Sequence, residues 1–197
     1  MQSHAVTGVA PPRLIFGHAL EGLVRVLGPA PTGQDARALA QLGVEPDALE
    51  VTYPLETHLA LIDYLVESRW PQLPEDEGYA AAGHAAVAAY EATLLGRVLV
   101  QMLRVLGPER MLYRLTKTFR SMNNYTETQV RELGPRYFEV YFNLALRPGF
   151  VRGILEQGLR AAGARGVRAE QMVARDGGAV FYVRWEATEP PPPALPS

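Results

Sequence analysis

The stretch QVRELGPRYFEVYFNL, residues 129–144, decides the fold, because apolar residues there recur at every second position. Earlier in the chain they recur about every 3.6 residues, which is typical of helices. In a strand, Phe138, Val140 and Phe142 would share one face while tyrosines and a glutamate alternate on the other. With a turn at Gly134 and Pro135, the stretch predicts a β-hairpin.

The pattern changes twice more before the chain ends. RPGFVRGILEQGLRAAG, residues 147–163, returns to helical spacing, with Phe150 and Leu159 in the inward stripe and Gly163 as the stop. VRAEQMVARDGGAVFYVRWEA, residues 167–187, alternates again around Asp176, Gly177 and Gly178. The C-terminal half therefore predicts hairpin, helix and hairpin.

The N-terminal half predicts helices. The longest run extends from residue 73 to Gly107, where a Gly-Pro pair ends it. Small residues such as Gly83 in this run permit close backbone approach. Its apolar stripe is predicted at every third or fourth position, at Leu95, Leu99, Met102 and Leu106, opposite a polar face of Arg97, Gln101 and Arg104.

These elements indicate one α+β domain over residues 1–187. An N-terminal helical layer would pack on a four-stranded antiparallel sheet at the C-terminus. Residues 188–197 are rich in proline and are expected to form a disordered or polyproline-like tail.

Composition excludes several classes of protein. The 197 residues carry a net charge of −2, which gives no basic field for nucleic acid. There is no cysteine for disulfides, thiolate catalysis or iron–sulfur clusters. Because Arg97 and Arg104 interrupt the longest apolar stretch and no signal peptide is seen, we expect a cytoplasmic protein without a membrane span.

Motifs for catalysis are missing from the sequence. His4, His18, His58 and His84 show no metal-ligand spacing, and His58 is interpreted as a partly buried helical histidine. There is no phosphate-binding loop and no serine on a nucleophile elbow. We therefore expect no catalytic residue, no metal and no cofactor, and a protein that is not an enzyme.

The segment FRSMNNYTET, residues 119–128, is the candidate ligand-binding loop. Asn123 and Asn124 suit a corner between helix and strand, because asparagine tolerates left-handed backbone and bonds its own main chain. A second interpretation makes them polar contacts at the rim of a pocket. Phe119 and Tyr125 would then be its walls, with the pocket lying between the long helix and the sheet.

Several segments together resemble a family of uncharacterised proteins found mostly in myxobacteria. They include FGHALEGLVRVLG, YPLETHLALIDYL, NNYTE, GPRYFEVYF and PGFVRGIL, and the resemblance covers nearly the whole chain except the tail. The family implies no activity.

The layout more distantly resembles the ligand-binding fold of haem nitric-oxide sensors, vinyl-reductase-like domains and transport-particle subunits. That fold implies a pocket between helices and sheet. The sensors hold haem propionates with Tyr-x-Ser-x-Arg, whereas YFNLALRPGF has Asn143 and Arg147 at the equivalent junction. The resemblance therefore implies a ligand pocket without haem, with Arg147 as a candidate anion contact.

Three functions remain open from the sequence. The leading hypothesis is a non-catalytic regulatory or sensor module that binds a small apolar ligand, a protein partner or both. The alternative is a module without a pocket that forms a homodimer or docks a partner through alanine-rich helix faces and the sheet edge. The third is an enzyme whose tyrosine, histidine and carboxylate groups are brought together only by folding.

Overall fold

The computed structural model describes residues 11–173 and 177–189. The predicted tail lies outside these residues from residue 190 onward. Seven helices are present in the described chain: α1 Gly17–Val26, α2 Gly33–Gln41, α3 Leu55–Arg69, α4 Glu75–Glu91, α5 Leu94–Tyr113, α6 Leu115–Arg120 and α7 Pro148–Ala161.

Eight strands form three antiparallel sheets. The main sheet has four strands in the order β3-β4-β7-β6, and two short pairs, β1 with β2 and β5 with β8, lie outside it. The strands are β1 Leu14–Phe16, β2 Thr52–Pro54, β3 Thr128–Gly134, β4 Tyr137–Phe142, β5 Ala164–Arg165, β6 Arg168–Val173, β7 Ala179–Arg184 and β8 Ala187–Thr188. The α+β class and the four-stranded sheet predicted from the sequence are confirmed.

Both predicted hairpins form. In β4, Phe138, Val140 and Phe142 are buried, and the residues between them are half-buried or exposed. The turn after Gly134 contains Arg136, which has a positive φ of 58°. In the second hairpin β6 pairs with β7, but residues 174–176, including the predicted turn residue Asp176, lie outside the described chain.

α7 covers the buried face of the sheet, as its apolar stripe predicts. Leu155 and Leu159 are fully buried against strand residues. The core there is aromatic, since Phe138 stacks on Trp185 at 5.4 Å and Phe142 meets Phe181 edge-on at 5.5 Å between ring centres. This half of the protein is densely filled.

Glycines let α4 and α7 cross with their backbones in contact. A Cβ atom on Gly83 would lie 2.3 Å from Phe150 O, and a Cβ atom on Gly153 would lie 2.2 Å from Ala80 O. Real Cβ atoms do not approach other atoms so closely, so neither position admits a side chain at this separation. The close approach predicted at Gly83 is thus observed, and α7 is its partner.

α5 differs from the prediction in the direction of its apolar stripe. Leu95 is 59% exposed and Met102 is 48% exposed, whereas Leu103 is buried and Leu99 is half-buried. The cause is Gly96, where a Cβ atom would lie 1.8 Å from Tyr90 O. Because the side of the helix bearing Gly96 must face the end of α4, the neighbouring stripe turns toward solvent.

α5 also bends. Gly107 has φ 76° and ψ 167°, so the predicted helix end is present as a kink, and Pro108 restarts the helix. No single helix in residues 11–173 or 177–189 is both long and apolar enough to cross a membrane. α4 and α5 reach that length and composition only together, and they are bent by 101° at the break between them.

Candidate functional site

Two neighbouring cavities lie in the helical half of the protein. The larger, of about 150 Å³, is lined mainly by residues of α1, α3, α4, α5, α6 and α7. The smaller, of about 70 Å³, lies between α3, α7, the end of β4 and the loops beside them. Five residues line both cavities and are called the shared wall: His58, Phe119, Asn123, Phe150 and Ile154.

The larger cavity is not where the sequence placed the pocket. It was expected between the long helix and the sheet, but no residue of the described main sheet lines it. α7 covers the sheet and fills that space with Leu155 and Leu159. α5 still contributes to the wall, through Leu99 and Leu103 rather than through Leu95 and Met102.

His58 is a polar residue of the shared wall whose Nδ1 atom is left without a partner by the packing of the described residues. It lies in α3, with its ring edge-on to Phe150 at 5.9 Å between ring centres. Its Nδ1 atom is buried and has no hydrogen-bond partner among the described residues. Burial lowers the pKa of His58 to about 4, so the imidazole is neutral at physiological pH.

Asn123 closes the corner after α6 and also lines both cavities. Its Oδ1 accepts hydrogen bonds from Tyr125 N at 3.1 Å and Thr126 N at 2.8 Å. The side chain is buried, with 4% exposed. It therefore forms the corner and borders the cavities, while the ligand contact predicted for it stays a prediction.

Asn124 faces away from the cavities. Its Oδ1 accepts from Leu14 N at 2.9 Å, and its Nδ2 donates to Pro12 O at 3.0 Å. Both bonds anchor the chain beside β1. The ligand contact predicted for Asn124 stays a prediction, but the side chain is already committed to the backbone.

Phe119 and Tyr125 lie on cavity walls, and the ligand contacts predicted for them stay predictions. Phe119 is in the shared wall and packs edge-on against Phe142 at 5.2 Å between ring centres. Tyr125 lines the smaller cavity alone, and burial raises the pKa of its phenol to about 12. The two rings therefore meet different volumes.

Arg147 borders the smaller cavity, but its charge is paired. Its Nε lies 2.7 Å from Asp63 Oδ1 and its Nη2 lies 2.5 Å from Asp63 Oδ2. The guanidinium also lies over the ring of Tyr79 at 5.5 Å from its centre. Arg147 thus joins α3, α4 and the start of α7, and the anion contact predicted for it stays a prediction.

Sequence reasoning missed the importance of His58. A histidine in a helical stretch has no spacing that would reveal an empty volume beside it. The same holds for His84 and Glu156, whose side chains meet at 2.7 Å across the α4–α7 crossing although 72 positions separate them. Neither contact has a local signature, because both depend on how helices cross.

Comparison with solved structures shows the fold. An H-NOX protein from S. oneidensis in its Fe(II) state matches with a TM-score of 0.67 at 9% identity, covering 90% of this chain and 99% of that one. An unliganded Fe(II) H-NOX protein from K. algicida matches with a TM-score of 0.53 at 11% identity, covering 88% and 97%. The predicted layout resemblance is confirmed, and at these identities it concerns the fold alone.

No curated protein matches this chain. A family described as "Protein of unknown function (DUF2378)" matches residues 13–186, which is nearly the whole described chain. The predicted membership of an uncharacterised family is confirmed, while the myxobacterial origin stays a prediction. The chain belongs to the DUF2378 family and is built on the H-NOX fold.

Proposed function

We propose that this protein is a non-catalytic regulatory or sensor module that binds a small apolar ligand in the larger cavity. The observation that carries the proposal is a volume of about 150 Å³ between helices, lined almost entirely by apolar side chains. An engineered cavity of about 150 Å³ lined by leucine, isoleucine and phenylalanine binds benzene or xenon. The expected ligand is therefore about the size of one aromatic ring.

The H-NOX fold raises the question of haem, since haem distortion has been studied in the H-NOX family. Pockets for drug-sized ligands occupy roughly 300–1,000 Å³, and a porphyrin needs space of that order. The larger cavity, at about 150 Å³, is too small. Arg147, the cation beside the smaller cavity, is held by Asp63. Neither of these two cavities fits haem.

The titratable groups support a binding rather than a catalytic function. Among the described residues, His58 and Tyr90 are the titratable side chains that line the larger cavity. A general acid or base works best with a pKa near the operating pH. Burial lowers the pKa of His58 to about 4 and raises the pKa of Tyr90 above its usual value. Both pKa values therefore lie further from neutral pH than those of the free side chains.

α5 offers a route from the cavity to a partner. Leu99 and Leu103 line the cavity from one side of this helix. On the other side Leu94, Val98 and Val105 are 72%, 64% and 68% exposed. A ligand that moves α5 would therefore also move an apolar surface, as a regulatory module requires.

Benzene titration tests the proposal. Methyl NMR signals of Leu99, Leu103 and Ile154 should shift on addition of benzene, and the melting temperature should rise with its concentration. Native mass spectrometry of freshly purified protein would report a retained natural ligand as extra mass that is lost on denaturation.

Two variants make the titration specific. Val87→Phe places a ring in the larger cavity and should abolish benzene binding, because Val87 lines that cavity. Val51→Phe introduces the same ring at a position that is 84% exposed and should leave binding unchanged. Benzene binding that survives Val87→Phe, or no binding at all in the unmodified protein, would overturn the proposal.

A homodimer is the second candidate function, and the apolar surface of α5 favours it. The α5 outer face consists of Leu94, Leu95, Val98, Met102 and Val105, all exposed. Contiguous exposed apolar side chains of this kind mark interaction sites in soluble proteins. The predicted alanine-rich faces do not supply this surface, since Ala80, Ala82 and Ala86 of α4 are buried.

Sedimentation equilibrium tests the second candidate. Val98→Glu puts a charge in the α5 outer face and should convert a dimer to a monomer. Val51→Glu adds the same charge at a position that is 84% exposed and lies outside α5, and it should leave the dimer intact. A monomer at every concentration of the unmodified protein would exclude self-association through this face.

A further inference from the structure

The polar atoms of the shared wall indicate which class of small molecule the cavity binds. This inference rests on the proposed function. The wall contains His58, whose Nδ1 is buried without a partner in the described chain. Such a group costs free energy that a hydrogen-bonding ligand would recover.

His58 is available to a ligand as well as unsatisfied. Its ring is screened from bulk solvent yet keeps some accessible surface, because it lines both cavities. The ring edge toward Phe150 is fixed by the aromatic contact at 5.9 Å. His58 thus borders both cavities while its Nδ1 has no hydrogen-bond partner among the described residues.

Asn123 supplies a second polar group at the same wall. Both of its backbone partners are N–H donors, so the atom facing them is Oδ1 and the amide orientation is fixed. The Nδ2 group then points elsewhere, and no described residue accepts a hydrogen bond from it. It is a donor on the wall that His58 also forms.

We propose that the cavity selects a small aromatic or similarly compact molecule that carries one hydroxyl group, with the hydroxyl placed at His58 and Asn123. A hydroxyl both donates and accepts, so it satisfies the neutral imidazole in either tautomer and can also accept from an amide N–H. Apolar residues that line the larger cavity, such as Leu99, Phe119 and Ile154, would contact the apolar part of the ligand.

Phenol and benzene are the probes, since they differ by one hydroxyl group. Calorimetric or NMR titration of the full chain should show phenol binding about tenfold more tightly than benzene, the effect of one satisfied buried hydrogen bond. In His58→Leu the preference should disappear or reverse. In Val87→Ala, which alters an apolar wall residue, both affinities should change together and the ratio should persist.

The outcomes of these titrations distinguish a failure of this inference from a failure of the proposed function. If both probes bind and the preference for phenol is the same in His58→Leu, the assignment of His58 is wrong while the cavity remains a binding site. If neither probe binds to the unmodified protein, the proposed function fails and this inference fails with it.

A measurement without substitution covers the case in which His58→Leu does not fold. The ring nitrogens of His58 in ¹⁵N-histidine-labelled protein should change chemical shift with phenol and only slightly with benzene. Equal changes with the two probes would overturn the inference.

Discussion

The crossing of α4 and α7 leaves no room for one carbon atom, while one helical turn away the same two helices line a cavity. Gly83 and Gly153 lie at the crossing, and Val87 and Ile154 lie at the larger cavity. Loose packing cannot explain the cavity, because the contact beside it is as close as backbones allow. The comparison teaches that the empty volume is local and that the helices beside it are closely packed.

Adding a methyl group on each side of this comparison should give the largest effect. Gly153→Ala places Cβ against Ala80 O and should lower the free energy of unfolding by about 3 kcal/mol, despite the better helix propensity of alanine. Val87→Ile adds one carbon toward the cavity and should stay within about 1 kcal/mol of the unmodified protein. Urea unfolding measures both. Equal losses would mean that the cavity is not open to a side chain.

On the cavity side of this comparison, His58 should make the free energy of unfolding depend on pH. Its folded pKa of about 4 lies below the ordinary value of 6.5, so between these values the unfolded chain binds a proton that the folded protein does not. Stability should therefore be full above pH 6.5 and fall by about 3 kcal/mol as the pH is lowered toward 4.

Unfolding measured from pH 7.5 to pH 5.5 checks this slope, because ordinary carboxyl groups stay mostly ionised in this range. His58→Leu should flatten it, and His18→Gln, at an exposed position, should leave it unchanged. A slope that persists in His58→Leu would show that His58 is not the group responsible.

Removing the charge of Glu156 tests how much the ion pair across the α4–α7 crossing contributes to stability. Burial works to raise the pKa of this carboxyl, but hydrogen bonds from His84 and from Ala169 N hold the pKa below its usual value. Glu156→Gln should lower the free energy of unfolding by about 2 kcal/mol at pH 7. Because a lowered folded pKa stabilises above the unfolded value of 4.5, the difference should shrink as the pH falls below 4.5.

An exposed carboxylate is the matched control for Glu156. Glu170 meets Arg184 at 3.3 Å on the surface, and Glu170→Gln should change stability by less than about 0.5 kcal/mol. A similar loss in both variants would mean that the buried pair across the crossing has no special importance.

The smallest effect is expected at the corner beside the cavity. Asn124→Ala removes two bonds to the backbone near β1 and should cost about 1 kcal/mol of stability. Benzene affinity should not change, since Asn124 lines neither cavity. A clear fall in affinity without a fall in stability would restore the ligand contact that the sequence suggested for this residue.

The hairpins could be predicted because their information is local. Alternation at Phe138, Val140 and Phe142 and a Gly-Pro turn determine which face is buried, whatever packs against it. The phase of α5 could not be predicted, although its helical period was correct. The stripe of Leu95 and Met102 is as apolar as a core stripe, but Gly96 against the end of α4 turned it outward.

The candidate site divides along the same line. The corner residues were found because Asn-Asn between a helix and a strand has a local use, and Phe119 and Tyr125 follow as neighbours in the chain. The rings of His58 and Phe150 are in contact although 92 positions separate the two residues. The spacing of residues in neither segment predicts this contact. The wrong position of the pocket has the same origin, because α7 filled the space against the sheet.

The sequence by itself determined the helical N-terminal half, the four strands of the main sheet with the buried face of β4, and the helix between the hairpins. These follow from the period of apolar residues and from turn residues, which act over a few positions. Only the tertiary structure decided which face of α5 meets solvent, where the helices leave a cavity, and that His58 lies unpaired on its wall. Those features depend on the angles and distances at which whole helices cross. At the α4–α7 crossing, the distance is set jointly by a glycine on each helix.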